Sequence, residues 1–228
     1  MAEGLEPLAL DLPGHGARAG IPSTEATLGA TLAAIDAETE HLDRFDLVGY
    51  SMGGRIALHV ALSRPERVRR LVLESASPGL DTEEERVERR ASDERLADRI
   101  EKEGVAAFVE YWTALPLFES QRKLPAATNE RTERLRMENR AGGLASALRG
   151  LGTGALPGLW DRLDQVECPV LLIVGALDVK FVRIAREMAM RLPDVRLVEV
   201  ESAGHTVHLE APQVWLDVVC PFLRSAVP

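Results

Sequence analysis

Apolar residues fall into two kinds of pattern along the chain. Short continuous runs occur at Leu47-Val48, Val68 to Leu73 and Val170-Leu171-Leu172-Ile173-Val174-Gly175, with a more mixed run at Val195 to Val200. Runs of this length, bounded by Gly or Pro, read as strands buried on both faces. Between them the apolar positions recur at helical spacing. Leu28, Leu32 and Ile35 give one buried face, opened at Ser23-Thr24-Glu25-Ala26 with Ser23 as the expected cap. Arg55 to about Ser63, Phe181 to Leu192 and Ala211 to Leu223 read as further helices. Pro7 to Leu12 is a short apolar run stopped by Pro13-Gly14, and it reads as a first strand. Strands alternating with helices predict an α/β fold with a mostly parallel sheet covered on both faces.

The character of the chain changes at about Leu80. From Asp81 to Arg140 it is rich in Glu and Arg, with Leu96, Ile100, Phe108, Val109 and Trp112 at helical spacing. This predicts a helical insertion ending near the Gly150–Gly158 glycine cluster and lying over the sheet as a lid. The expected organisation is a first part of the core at 1–80, the lid at 81–158 and the rest of the core at 159–228. Most charges on the insertion read as solvated helix surface.

The stretch Phe45 to Leu58 carries the chemistry. A strand leads into Gly49-Tyr50-Ser51-Met52-Gly53 and a helix follows. Strand, sharp turn and helix with Ser at the apex is the nucleophile-elbow pattern of the α/β-hydrolase fold. Gly49 and Gly53 are expected to let strand and helix approach each other. The turn would expose the Ser51 hydroxyl and set the Met52 N–H at a helix N-terminus, where negative charge is favoured. A serine needs a base, and the base an orienting acid. The fold orders them Ser, Asp, His, and Ser51, Asp178 and His205 follow that order, the last two in loops after strands. Open α/β sheets place their sites at such carboxyl ends. Among the other histidines, His15 lies in the turn after Leu12, and His41 and His59 read as structural residues in helices. His208 reads as packing or capping. Arg55, four residues after Ser51, falls one helical turn away on the same face. A guanidinium there would grip a carboxylate, which points to an anionic substrate.

Several segments together resemble the 2-succinyl-6-hydroxy-2,4-cyclohexadiene-1-carboxylate synthases of menaquinone biosynthesis. They are Asp11-Leu12-Pro13-Gly14-His15-Gly16, Val48 to Arg55, Glu74-Ser75-Ala76-Ser77-Pro78-Gly79-Leu80, Arg89 with Ser92-Asp93, Gly175 to Phe181 and Ala203-Gly204-His205. The Gly-x-Ser-x-Gly part is generic, whereas Arg55, Ser-Pro-Gly-Leu and Asp-x-Lys-Phe are selective. The resemblance implies elimination of pyruvate from a cyclohexene carboxylate bearing a succinyl chain, with Ser51 as the base, polarised by His205 and Asp178. It implies Arg55, Arg89 and Arg136 as clamps for three carboxylates, with Tyr50 and Trp112 lining the pocket. The family also carries strands ahead of the segment aligned with Leu8, and a His-Gly loop that gives a second oxyanion donor. This chain has no counterpart, so the expectation is Met52 N–H as the one backbone donor, an exposed apolar sheet edge, and weak activity or poor solubility. A carboxylesterase or thioesterase with the same three residues is the alternative, and a non-catalytic hydrolase-like protein a second.

Composition narrows the rest. The formal net charge of −9 disfavours nucleic acid. It also means that a trianionic ligand needs concentrated local positive potential, which arginines on a closed lid would supply. The two cysteines, Cys168 and Cys220, each precede a proline and read as buried thiols rather than a disulfide. No window is long and apolar enough to span a membrane, and Met1-Ala2-Glu3-Gly4 lacks signal-peptide character, so a cytoplasmic location is expected. No metal or organic cofactor is implied, since there is no Cys/His ligand cluster and no phosphate loop.

Overall fold

The computed structural model describes residues 4–225; Met1, Ala2 and Glu3, part of the segment read above for a leader, lie outside them. Among the described residues four strands form one parallel sheet in the order β1 (Phe45–Tyr50), β2 (Val68–Glu74), β3 (Val170–Gly175), β4 (Val195–Val200). The helices are α1 (Leu28–Glu38), α2 (Met52–Ser63), α3 (Glu83–Thr113), α4 (Ala126–Met137), α5 (Ala141–Leu151), α6 (Val179–Ala189), α7 (Val207–Glu210) and α8 (Pro212–Arg224).

The period-two geometry of the strands divides the core into two layers. Leu71, Leu73, Leu172 and Val174 pack on one side with Ile56, Leu58 and Val60 of α2 and Val182, Ala185 and Met188 of α6. Val72, Leu171 and Ile173 face the other way, onto Val207 of α7 and Val219 of α8. Being covered on both faces is why these strands read as unbroken apolar runs. Their carboxyl ends lie together, so the residues just after β1, β2, β3 and β4 meet at one rim.

Four sequence expectations shift. Pro7 to Leu12 is extended but not a strand, because no neighbouring backbone supplies a ladder among the described residues. β1 is accordingly an edge strand among the described residues, and its Val48 is 44% exposed. Ser23 opens only a short 3-10 turn, and α1 is capped by Thr27, whose hydroxyl accepts from Ala30 N–H at 3.2 Å. His41 lies in an exposed turn, since α1 ends at Glu38. Cys168 is buried, but Cys220 on α8 is only partly so, and both thiols are free.

The segment between β2 and β3 is helical. α3 starts on a reciprocal cap in which Thr82 accepts from Glu85 N–H and the Glu85 carboxylate accepts from Thr82 N–H. It bends at Gly104, where φ is 84°. Arg149 of α5 ties to Glu94, Asp98 and Glu101 of α3. These exposed pairs contribute little individually, so packing of α3 on α5 does most of the holding. Among the described residues no helix is long and apolar enough to cross a membrane.

Candidate active site

The turn from β1 into α2 is tight. Ser51 sits at φ 50° and ψ −111°, a region costly for a residue with a Cβ. The strain is sustained by close approach of strand and helix. A Cβ on Gly49 would lie 2.5 Å from the Gly54 Cα, and one on Gly54 would lie 2.5 Å from the Ala76 Cβ. Nothing lies within 4 Å of a Cβ on Gly53, so the steric role assigned above to Gly49 and Gly53 belongs to Gly49 and Gly54. Met52 is the first residue of α2, so its N–H faces out of the helix end, where an anion is favoured.

Ser51, His205 and Asp178 are hydrogen bonded in series. His205 Nε2 is 3.0 Å from Ser51 Oγ, and His205 Nδ1 is 2.7 Å from Asp178 Oδ2. The second Asp178 oxygen accepts from Phe181 N–H at 3.2 Å, which fixes the carboxylate at the start of α6. His205 is fully buried among aromatic rings, with Phe181 at 4.6 Å, Tyr50 at 5.3 Å and Phe118 at 6.0 Å between centroids. Its loop is held by Glu210, whose two oxygens accept from Gly204 N–H at 2.7 Å and Thr206 N–H at 3.0 Å, one on each side of the histidine. This geometry suits transfer of the serine proton to Nε2 while Asp178 holds the ring.

Arg55 points inward and is only 8% exposed. Its Nη1 donates to the Thr153 hydroxyl, and its Nε has no partner among the described residues. Burial, and the neighbouring Arg89 cation, pull its pKa down to about 10. Arg89 pairs with Asp93 at 2.8 Å and stays partly exposed. Arg136 on α4 donates to Gln121 Oε1 at 3.2 Å and lies 5.6 Å from the Phe118 ring centroid. Trp112 lies tilted against Phe118, 5.8 Å between ring centroids, and so joins the aromatic row that reaches His205. Thus Tyr50, Trp112 and Arg136 gather with Ser51, Asp178 and His205, and Arg55 and Arg89 form a second cationic group around Asp93, on the α2 side.

Sequence reasoning missed Gln121, Thr206, Phe118, Glu74 and Glu210. Glu74, buried at the end of β2, accepts from His208 Nδ1 at 2.9 Å and from Trp215 Nε1 at 2.8 Å, which explains the packing role expected of His208. The spacing His205, His208, Glu210 was the one available signal. His59 is buried in α2 with Nε2 unpartnered among the described residues, and burial pushes its pKa down to about 4. His15 sits beside Pro13, its Nδ1 3.2 Å from the Pro13 carbonyl, and burial lowers its pKa. Among the described residues no group of three or more His, Cys, Asp or Glu side chains is placed to hold a metal ion.

A model of the alpha/beta hydrolase family matches residues 1–218. The chain belongs to the alpha/beta hydrolase family. It is 47% identical over 184 residues to a Bacillus subtilis (strain 168) protein described as a putative 2-succinyl-6-hydroxy-2,4-cyclohexadiene-1-carboxylate synthase, covering 81% of this chain and 67% of the relative. It is 34% identical over 221 residues to the 2-succinyl-6-hydroxy-2,4-cyclohexadiene-1-carboxylate synthase of Salmonella paratyphi C (strain RKS4594), covering 97% and 84%. The structure of MenH from S. aureus superposes with a TM-score of 0.90 at 34% identity, covering 94% of this chain and 82% of that one. A thermophilic esterase from Thermogutta terrifontis, solved with malate bound, gives 0.79 at 26% identity over 94% and 78%. The relatives place this alpha/beta hydrolase chain among enzymes of that fold.

Proposed function

We propose that the protein is a carbon–oxygen lyase that eliminates pyruvate from 2-succinyl-5-enolpyruvyl-6-hydroxy-3-cyclohexene-1-carboxylate, giving 2-succinyl-6-hydroxy-2,4-cyclohexadiene-1-carboxylate for menaquinone biosynthesis. The observation that carries this reading is the buried, under-partnered Arg55 guanidinium one turn beyond Ser51, in a chain whose relatives bear the synthase name. A site for a neutral ester has no use for such a cation.

The chemistry follows from the double bonds. The substrate has a 3-ene and the product a 2,4-diene, so the proton leaves C2 and the bond broken is C5–O. C2 lies next to the succinyl ketone, which makes its proton acidic. Ser51 gives its proton to His205 Nε2 and removes the C2 proton, with Asp178 stabilising the imidazolium. The negative charge spreads onto the ketone oxygen, which accepts a hydrogen bond from the Met52 N–H. As the diene forms, the C5–O electrons leave with the enolpyruvate. A proton delivered to its methylene carbon gives pyruvate. Arg55, Arg89 and Arg136 hold the three carboxylates, and the 81–158 segment acts as a cover that keeps water out. Tyr50 and Trp112 line the pocket.

The esterase reading shares Ser51, His205 and Asp178 and differs in substrate. The two separate on one preparation. The lyase is expected to release pyruvate from the enolpyruvyl substrate and to hydrolyse p-nitrophenyl acetate slowly. Fast serine-dependent ester hydrolysis without pyruvate release would replace the lyase by a carboxylesterase or thioesterase.

A further inference from the structure

A chain of hydrogen bonds runs from the helical insertion to the residue before Ser51, and its direction can be worked out from donors and acceptors alone. Arg136 can only donate, so the Gln121 oxygen that it meets at 3.2 Å accepts. That fixes the amide, and the Gln121 nitrogen donates to Thr206 Oγ1 at 2.6 Å. Thr206 Oγ1 also lies 3.0 Å from the Tyr50 hydroxyl, and either group could donate there. Thr206 is 2% exposed and Gln121 7%, so both side chains are buried. If Tyr50 donated, the Thr206 proton would be left without an acceptor among the described residues, a costly omission in a buried group. Thr206 donating to the Tyr50 oxygen avoids this and leaves the spare proton on Tyr50, which is only half-buried. The Tyr50 proton is then free for something else.

We propose that Gln121 and Thr206 are positioning residues that orient the Tyr50 hydroxyl as a hydrogen-bond donor to an anionic oxygen of the substrate. The proposal rests on the reading above that Tyr50 lines an anion-binding pocket. Its ring centroid lies 5.3 Å from that of His205, and burial raises its pKa, so the proton stays in place for donation. The same chain starts at Arg136, one of the proposed clamps. A carboxylate that engages Arg136 therefore meets a Tyr50 proton whose direction Arg136 has already helped to set.

The test is a double-substitution cycle on pyruvate release. Thr206→Val removes the donor to Tyr50 at nearly constant volume, and Tyr50→Phe removes the proton itself. Each is expected to lower kcat/KM by about ten- to a hundredfold, the range for a hydrogen bond to a charged group. The double variant is expected to match Tyr50→Phe alone, and Thr206→Ser to recover most of the wild-type rate. Losses that multiply in the double variant, or a Thr206→Val enzyme as fast as wild type, overturn the relay. Thr206→Ala takes the place of the valine variant should that one not fold. A wild-type protein that releases no pyruvate would instead overturn the functional reading. In that event the relay is judged on the Tyr50 Cζ resonance of 13C-tyrosine-labelled protein. It is expected to move in Thr206→Val and return in Thr206→Ser, and a resonance unmoved in Thr206→Val overturns the relay.

Discussion

Replacing Arg55 by Met should make the protein no less stable while removing most of its activity. The Arg55 side chain is buried and, among the described residues, has one hydroxyl partner and leaves Nε unpaired. Burial, with Arg89 close by, lowers its pKa to about 10. At ~1.4 kcal/mol per pH unit, holding that charge in the fold costs on the order of 3 kcal/mol. The hydrogen bond to Thr153 offsets ~1.5–3 kcal/mol of this. Methionine fills similar space without either term, and Asp93 keeps Arg89 as its partner. Stability should therefore change by about 0 to +2 kcal/mol, where removing one partner of a buried ion pair would cost ~3–5 kcal/mol. The sign also has a pH signature. A depressed pKa on a base destabilises the fold at every pH below about 10 and stops doing so only as pH rises towards the ordinary arginine range. The difference between variant and wild type should thus be flat across the neutral range. Activity behaves oppositely. Two charge-assisted hydrogen bonds to a carboxylate, at ~1.5–3 kcal/mol each, imply a fall in kcat/KM of about 10²–10⁴. Urea denaturation and pyruvate release coupled to lactate dehydrogenase read the two quantities. A variant destabilised by several kcal/mol but still within tenfold of wild-type activity would refute the reasoning, because Arg55 would then be structural.

Two neighbouring glycines should respond in opposite ways. Gly54→Ala drives a Cβ to 2.5 Å from Ala76 and 2.9 Å from the Gly49 carbonyl, and should cost about 1–3 kcal/mol in urea denaturation. Gly53→Ala meets nothing within 4 Å and should be neutral or raise stability by up to about 1 kcal/mol, since alanine is the better helix former. In α2, His59 is 4% exposed and its pKa is lowered from 6.5 to about 4. Its neutral form is the folded one, so the stability it leaves intact above pH 6.5 is lost as pH falls towards 4. His59→Leu should flatten that acid limb and unfold later than wild type at pH near the lower value, as followed by circular dichroism.

How much of this was legible beforehand depends on the range of the interactions. β2, β3 and α2 announce themselves because burial of both faces, or of one helical stripe, writes a local periodicity into the sequence. Ser51, Asp178 and His205 were legible because each follows a strand end. Pro7 to Leu12 was misread because a strand needs a hydrogen-bonding neighbour, and apolar content does not supply one. Ser23 and Thr27 are both capping residues four positions apart, and only the backbone decides between them. The Gly53 and Gly54 exchange came from the motif, whose spacing does not say which glycine the strand touches. Gln121 and Thr206 meet across 85 positions through single side-chain atoms, and no periodicity records such a contact.

The central claim is that the Ser51 hydroxyl, through His205, takes a ring proton and so releases pyruvate. Its most direct measurement is the rate of pyruvate formation from the enolpyruvyl substrate by wild type and by Ser51→Ala at matched folded concentration. Measurable turnover is expected from wild type, with a loss of at least about 10³-fold in the variant, as for the removal of a reacting group from a serine–histidine–aspartate site. Equal rates from the two proteins, with substrate still bound by both, would contradict it.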